Sequence, residues 1–241
     1  MNRMKISLLS LFTCLLYLIC GDAFAQNAKP VIFTADSDTT SYGRMDSQIK
    51  RFSLWDMDTA IYYSRISSLK YFLEFTTTKG RLSMAANETS QYGQTGDCFV
   101  KVFELDSLQL SQVLDLYSLL NIDVIPTDKF IAEWKWGFDG IIYTFESRRD
   151  TLYSLKHYWT PEIQENETAH KLDSFFKRLD RIVDYPEKQK IMNQEVPFQM
   201  WSMDGSIVGV SRGVNSRRAY RKYTKDMKAR MKGKGGNHGY R

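Results

Sequence analysis

The stretch from residue 131 to 183 constrains the fold more than any other part of this 241-residue chain. Gly137-Phe138-Asp139-Gly140 has the residues of a tight turn, because glycine and aspartate tolerate the backbone angles such turns need. On either side apolar and polar residues alternate at the period of two that lays one strand face on a core. The pattern predicts that 131–136 pairs antiparallel with 141–146, with Trp134 and Trp136 on the same face as Ile141, Tyr143 and Phe145. A second turn at Arg148-Arg149-Asp150 leads into 151–159. A three-residue loop there aligns Tyr153 with Phe145 and Leu155 with Tyr143, whereas a loop one residue shorter sets Ser154 and Lys156 among the aromatics. Burial of the apolar side chains favours the three-residue register.

A meander with one aromatic face needs a cover. Leu172, Phe175, Phe176, Leu179, Ile182 and Val183 form a wide helical stripe that supplies one. Thr160-Pro161 is the expected start of that helix, by cap and fixed φ, and Tyr185-Pro186 its expected stop. Upstream, Tyr71, Leu73 and Phe75 alternate, Lys79-Gly80 turns, and Leu82, Met84 and Ala86 resume the period of two. Residues 87–97 read as a polar loop and 98–105 as another strand. Asp106 or Ser107 caps a helix carrying Leu110, Val113, Leu114 and Tyr117 on one face and ending near Asn121. Residues 49–68 suit a strand or a helix, with the strand preferred, and 198–210, broken by Asp204-Gly205, suit a last hairpin. The fold class expected is α+β: an antiparallel sheet, with the meander at 131–159, covered by one or two helices in a single domain over 49–211.

The ends of the chain carry different information. Arg3 and Lys5, an apolar run over 6–20 and Ala23-Phe24-Ala25 give residues 1–25 the layout of a secretory signal peptide. The expected location is therefore the periplasm or the outside of the cell, soluble or peripheral to a membrane. Lipidation at Cys20 is not expected, because Ile19 stands where such signals want a small residue. Cys98 is the one thiol beyond that segment, so no intramolecular disulfide can form. A polar lead segment covers 26–48. Residues 212–241 form a basic tail, with 11 Lys or Arg against the single acid Asp226.

Gly137-x-Asp139-Gly140, a strand, then Tyr158-Trp159-Thr160-Pro161 resembles a pattern in uncharacterised exported bacterial proteins. The resemblance spans 137–184; it implies a shared hairpin and helix entry and brings no activity with it.

The tail is the leading functional candidate. Made helical, it places Tyr220, Tyr223, Met227 and Met231 near one face, while Arg217, Arg218, Arg221, Lys222, Lys225, Lys228, Arg230 and Lys232 take the rest. Flexible or helical, such a segment suits an anionic membrane surface or a polyanion, or another envelope protein as partner. Nucleic acid is not expected, because the chain reads as exported and has no recognition motif for it. The reading is thus a non-catalytic exported envelope protein acting as a binding or surface-association module. The alternative is a small periplasmic hydrolase with His157 as general base, oriented by Asp139 or Glu146. No nucleophile elbow, phosphate loop or metal-ligand spacing is present, so neither cofactor nor metal is expected. The aromatics Trp134, Trp136, Phe138, Tyr143, Tyr153, Tyr158 and Trp159 read as core, with a binding patch indicated instead if Trp136 and Phe138 are exposed together.

Overall fold

The computed structural model describes residues 32–39, 62–90, 93–203, 210–211 and 217–234. The signal-peptide reading of 1–25, most of the lead segment, residues 49–61 and the Asp204-Gly205 turn lie outside the described residues. What is described is a mixed α+β structure built on one large sheet. Its strands are β1 (Ile32–Phe33), β2 (Tyr62–Ser67), β3 (Phe72–Phe75), β4 (Gly80–Ser90), β5 (Gly93–Glu104), β6 (Ile142–Arg149), β7 (Leu152–Trp159), β8 (Met200–Ser202) and β9 (Val210–Ser211). They lie in the order β1-β7-β6-β2-β3-β4, with β5 along the far edge of β4. β8 pairs with Asn87 and Glu88 of β4, beyond the end of β3, and carries β9. Every pairing is antiparallel except that of β1 with β7.

Helices α1 (Ser107–Leu120), α2 (Glu167–Ile182) and α3 (Tyr185–Glu195) contribute to the core, and α4 (Arg217–Lys234) follows the sheet. α1 begins and ends where its sequence says. Asp106 accepts the Gln109 backbone N–H at 2.7 Å in a capping box, and Asn121 terminates the helix in the left-handed region at φ 50°. Phe175 and Phe176 of α2 lie over Tyr143 and Phe145, so the helical cover of the aromatic face is present. The main core joins that face of β2, β3, β4 and β6 to all three helices.

Several expectations are corrected. Residues 131–136 form no strand, so the meander reduces to the β6–β7 hairpin, flanked by β2 and β1. The chain runs through a short 3-10 turn at Asp128–Phe130 and a loop to residue 141. Trp134 is buried in this loop against Tyr158, with its indole N–H donating to the Trp159 carbonyl at 3.0 Å. Gly137 and Gly140 are there for close approach: a Cβ would come within 2.6 Å of the Trp159 ring at the first and 2.2 Å of Thr160 Oγ1 at the second.

The β6–β7 turn is the two-residue Asp150-Thr151, and the register pairs Phe145 with Lys156, Tyr143 with Tyr158 and Glu146 with Leu155. Lys156 is therefore on the aromatic face, the outcome that burial argued against. Its ammonium is satisfied there by the carbonyls of Ile122, Asp123 and Ile125 at 2.8, 3.0 and 2.8 Å and by the Asp36 carboxylate. Tyr153 and Leu155 lose nothing by facing the other way, because they pack with Phe33 and Tyr63. Both faces of this hairpin are buried, which removes the premise of the one-sided argument.

Thr160 does not start α2; its Oγ1 accepts the Ile141 N–H at 3.0 Å, and Asn166 caps the helix instead by accepting from Ala169. Nor does Pro186 end a helix: Asp184 breaks the chain at φ 50° and Pro186 sits in the first turn of α3, where its missing N–H costs nothing. Residues 87–90 and 93–97 are the distal half of a long β4–β5 pairing with a register shift between Asn87 and Thr89. The strand preference for 49–68 holds for β2, and the terminal hairpin at 198–210 appears as β8 and β9.

Candidate functional site

The polar face of the sheet holds the strongest concentration of charge. Register aligns Glu104, Arg81, Glu74, Arg65 and Glu146 across β5, β4, β3, β2 and β6, so that acid and base alternate from strand to strand. Arg65, 1% exposed, is the centre. Its Nε and Nη2 donate to Glu74 Oε1 at 3.0 and 2.6 Å, and its Nη1 to Glu146 Oε2 at 2.6 Å. Arg81 Nε reaches the second Glu74 oxygen at 3.3 Å. Glu146 Oε1 accepts the hydroxyls of Tyr63 and Tyr153. Burial and the Glu146 charge hold the Tyr63 hydroxyl far above its ordinary range, so it stays a donor at any physiological pH.

This network determines where the hydrolase candidates stand. Glu146 is fully buried, with both oxygens engaged by Arg65 and the two tyrosines. His157 lies on the same face, paired with Thr144, whose Oγ1 is 2.9 Å from its Nδ1. Burial lowers the pKa of His157, opposed by the charge of Asp38, and Nε2 has no hydrogen-bond partner. Asp139 is exposed in the 131–141 loop. The three side chains thus occupy separate settings: a salt-bridged carboxylate, an enclosed imidazole and a solvated loop acid.

The sequence reading missed the groups around His157. Asp38 pairs with Lys129 at 2.9 Å, and Thr127 Oγ1 accepts the His157 backbone N–H at 3.0 Å. Asp128 accepts the Trp159 N–H at 2.8 Å, and burial pushes its pKa up to about 6. No periodicity marks these residues, and only the fold joins 36–38, 127–129 and 157–159. Among the described residues no cluster of His, Cys, Asp and Glu could hold a metal ion.

The basic segment is a helix over most of its length. Arg218, Arg221, Lys222, Lys225, Lys228 and Lys232 of α4 are exposed, whereas Thr224 is buried. On a helix of 3.6 residues per turn these six cations fall within one continuous arc, and Thr224 at its border marks the inward side. Arg217 and Arg230 belong to the same helix. No helix of the described residues is long and apolar enough to cross a membrane. At the other candidate patch, Trp136 and Phe138 are indeed exposed together, with Trp136 stacked on Trp159 at 6.4 Å and 21°. Comparison with protein-family models, with curated proteins and with solved structures finds no match for this chain.

Proposed function

We propose that this protein is an exported envelope component that works without catalysis, as a binding or surface-association module whose helix α4 contacts an anionic surface or polymer. The observation that carries the reading is the exposed cationic arc from Arg218 to Lys232, set on a helix that also has a buried side at Thr224. A helix held on one side presents its charges together, so they act on a common surface. Each Lys or Arg near an anionic bilayer contributes about 1 kcal/mol, and the attraction is screened by salt.

The test is cosedimentation of the chain lacking residues 1–25 with vesicles containing phosphatidylglycerol, and with polyphosphate as a soluble polyanion, at low and high salt. Replacing Arg221, Lys225 and Lys228 by glutamine removes about 3 kcal/mol, on the order of a hundredfold in affinity at low salt. High salt should erase the difference. Equal binding of the parent and triple variant at low salt to both anions would refute the reading.

A further inference from the structure

The groove between α1 and α2 is separate from the basic helix and carries a proposal of its own. Gln109 at the start of α1 donates to the Ile182 carbonyl at the end of α2 at 3.1 Å, so the two helices run antiparallel and are closed at that end. Toward the other end they leave a groove of about 390 Å³, floored by Leu116, Leu119, Leu120 and Phe175. A second recess, sharing Leu116, Leu119 and Arg178 and adding Asp115 and Arg181, continues it. Leu119 is 71% exposed, although its neighbour on the helix face, Leu116, is buried.

The charges at the rim do not cancel around Arg178. Glu167 and Lys171 close on each other at 2.7 Å and neutralise one another. Arg178 is exposed and, among the described residues, its side chain makes no ion pair or hydrogen bond; the Ser174 hydroxyl lies on the same helix face one turn away. Arg178 and Arg181 against Asp115 leave one positive charge in excess at the rim, so the apolar floor matches a molecule with an apolar chain and one anionic end. Guanidinium presents two parallel donors that fit a carboxylate, and each buried methylene adds about 0.8 kcal/mol. The volume is in the range of small-molecule sites, about 300–1,000 Å³. A protein partner would need about 800 Å² from each side, more than three leucines and a phenylalanine offer.

We propose that this groove binds a single-chain carboxylate amphiphile, its head on Arg178 and its chain along Leu116, Leu119, Leu120 and Phe175. The test is calorimetric titration of the chain lacking residues 1–25 with decanoate below its micellar concentration, with decanol as the uncharged probe. Arg178→Gln and Leu119→Glu change exposed positions, and circular dichroism verifies that both variants fold. Decanoate should bind at one site per chain. Arg178→Gln should weaken decanoate on the order of tenfold or more, as expected for loss of a charge-assisted pair, and leave decanol unchanged. Leu119→Glu should remove both. Absence of decanoate binding, binding at many equivalent sites, or decanoate affinity indifferent to Arg178→Gln would each overturn the proposal. Because none of these residues belongs to α4, failure here leaves the vesicle experiment unaffected.

Discussion

Replacing Arg65 by methionine tests whether the buried charge ladder is a connected unit. The substitution keeps an unbranched stem and removes the guanidinium from between two carboxylates that are 1% and 0% exposed. The two acids lose unequally. Glu74 retains Arg81 at 3.3 Å, whereas Glu146 loses its 2.6 Å ion pair and keeps the hydroxyls of Tyr63 and Tyr153. Hydroxyl hydrogen bonds do not offset the desolvation of a full charge, so the expected loss is about 3 to 5 kcal/mol, the range for breaking a buried pair. Against a total stability of about 5 to 15 kcal/mol, this moves the urea midpoint far enough to read by tryptophan fluorescence. The location of the cost is itself testable. Glu146→Gln on its own leaves Arg65 with Glu74 and is destabilising, but added to Arg65→Met it removes the stranded charge and should recover about 2 to 3 kcal/mol. A loss below about 1 kcal/mol for Arg65→Met, or additive costs in the double variant, would refute the argument.

Lys156→Met should cost about 2 to 4 kcal/mol in urea unfolding, because three carbonyls of the turn after α1 lose their shared ammonium; a loss within about 0.5 kcal/mol would mean that these carbonyls are satisfied in another way. Burial pushes the pKa of Asp128 up to about 6 in the folded chain from near 4 unfolded, so its ionisation costs nothing below pH 4, and the penalty grows from pH 4 to pH 6 and levels off above it. Asp128→Asn should therefore gain about 1 to 3 kcal/mol relative to wild type between pH 4 and pH 7; a pH-independent difference would contradict the assignment.

The parts of the fold legible in the sequence are those whose signal is local. The α1 stripe with Asp106 and Asn121 at its ends, the α2 stripe of Leu172, Phe175, Phe176 and Leu179, and the alternation of β3 and β4 all depend on residues within a few positions of one another. Errors arose where a local signal had a non-local use. Gly137 and Gly140 have turn composition, but their lack of a Cβ makes room for Trp159 and Thr160, nineteen to twenty-two residues on. Thr160 has the chemistry of a cap and spends it on Ile141. Pro186 breaks nothing, since a proline in a first turn is as compatible with a beginning as with an end.

The polar sheet face shows why the candidate groups were harder to read than the core. Arg65, Glu74, Arg81 and Glu146 sit on four strands and each, taken alone, has the appearance of a solvated charge at an outward position. A strand alternating apolar and charged residues predicts one wet face, and that inference fails when the charges on adjacent strands are opposite and in register. Buried in that arrangement, each carboxylate has a guanidinium or hydroxyl donor, so the face can lose water without leaving a bare charge. The same fact fixes the β6–β7 turn. With three residues in that turn and β6 held against β2, Lys156 would face away from its carbonyl cage and Tyr153 away from Glu146, so one charge would be stranded and the other would lose a hydroxyl donor. Polar satisfaction on both faces, rather than aromatic burial on one, selects the register.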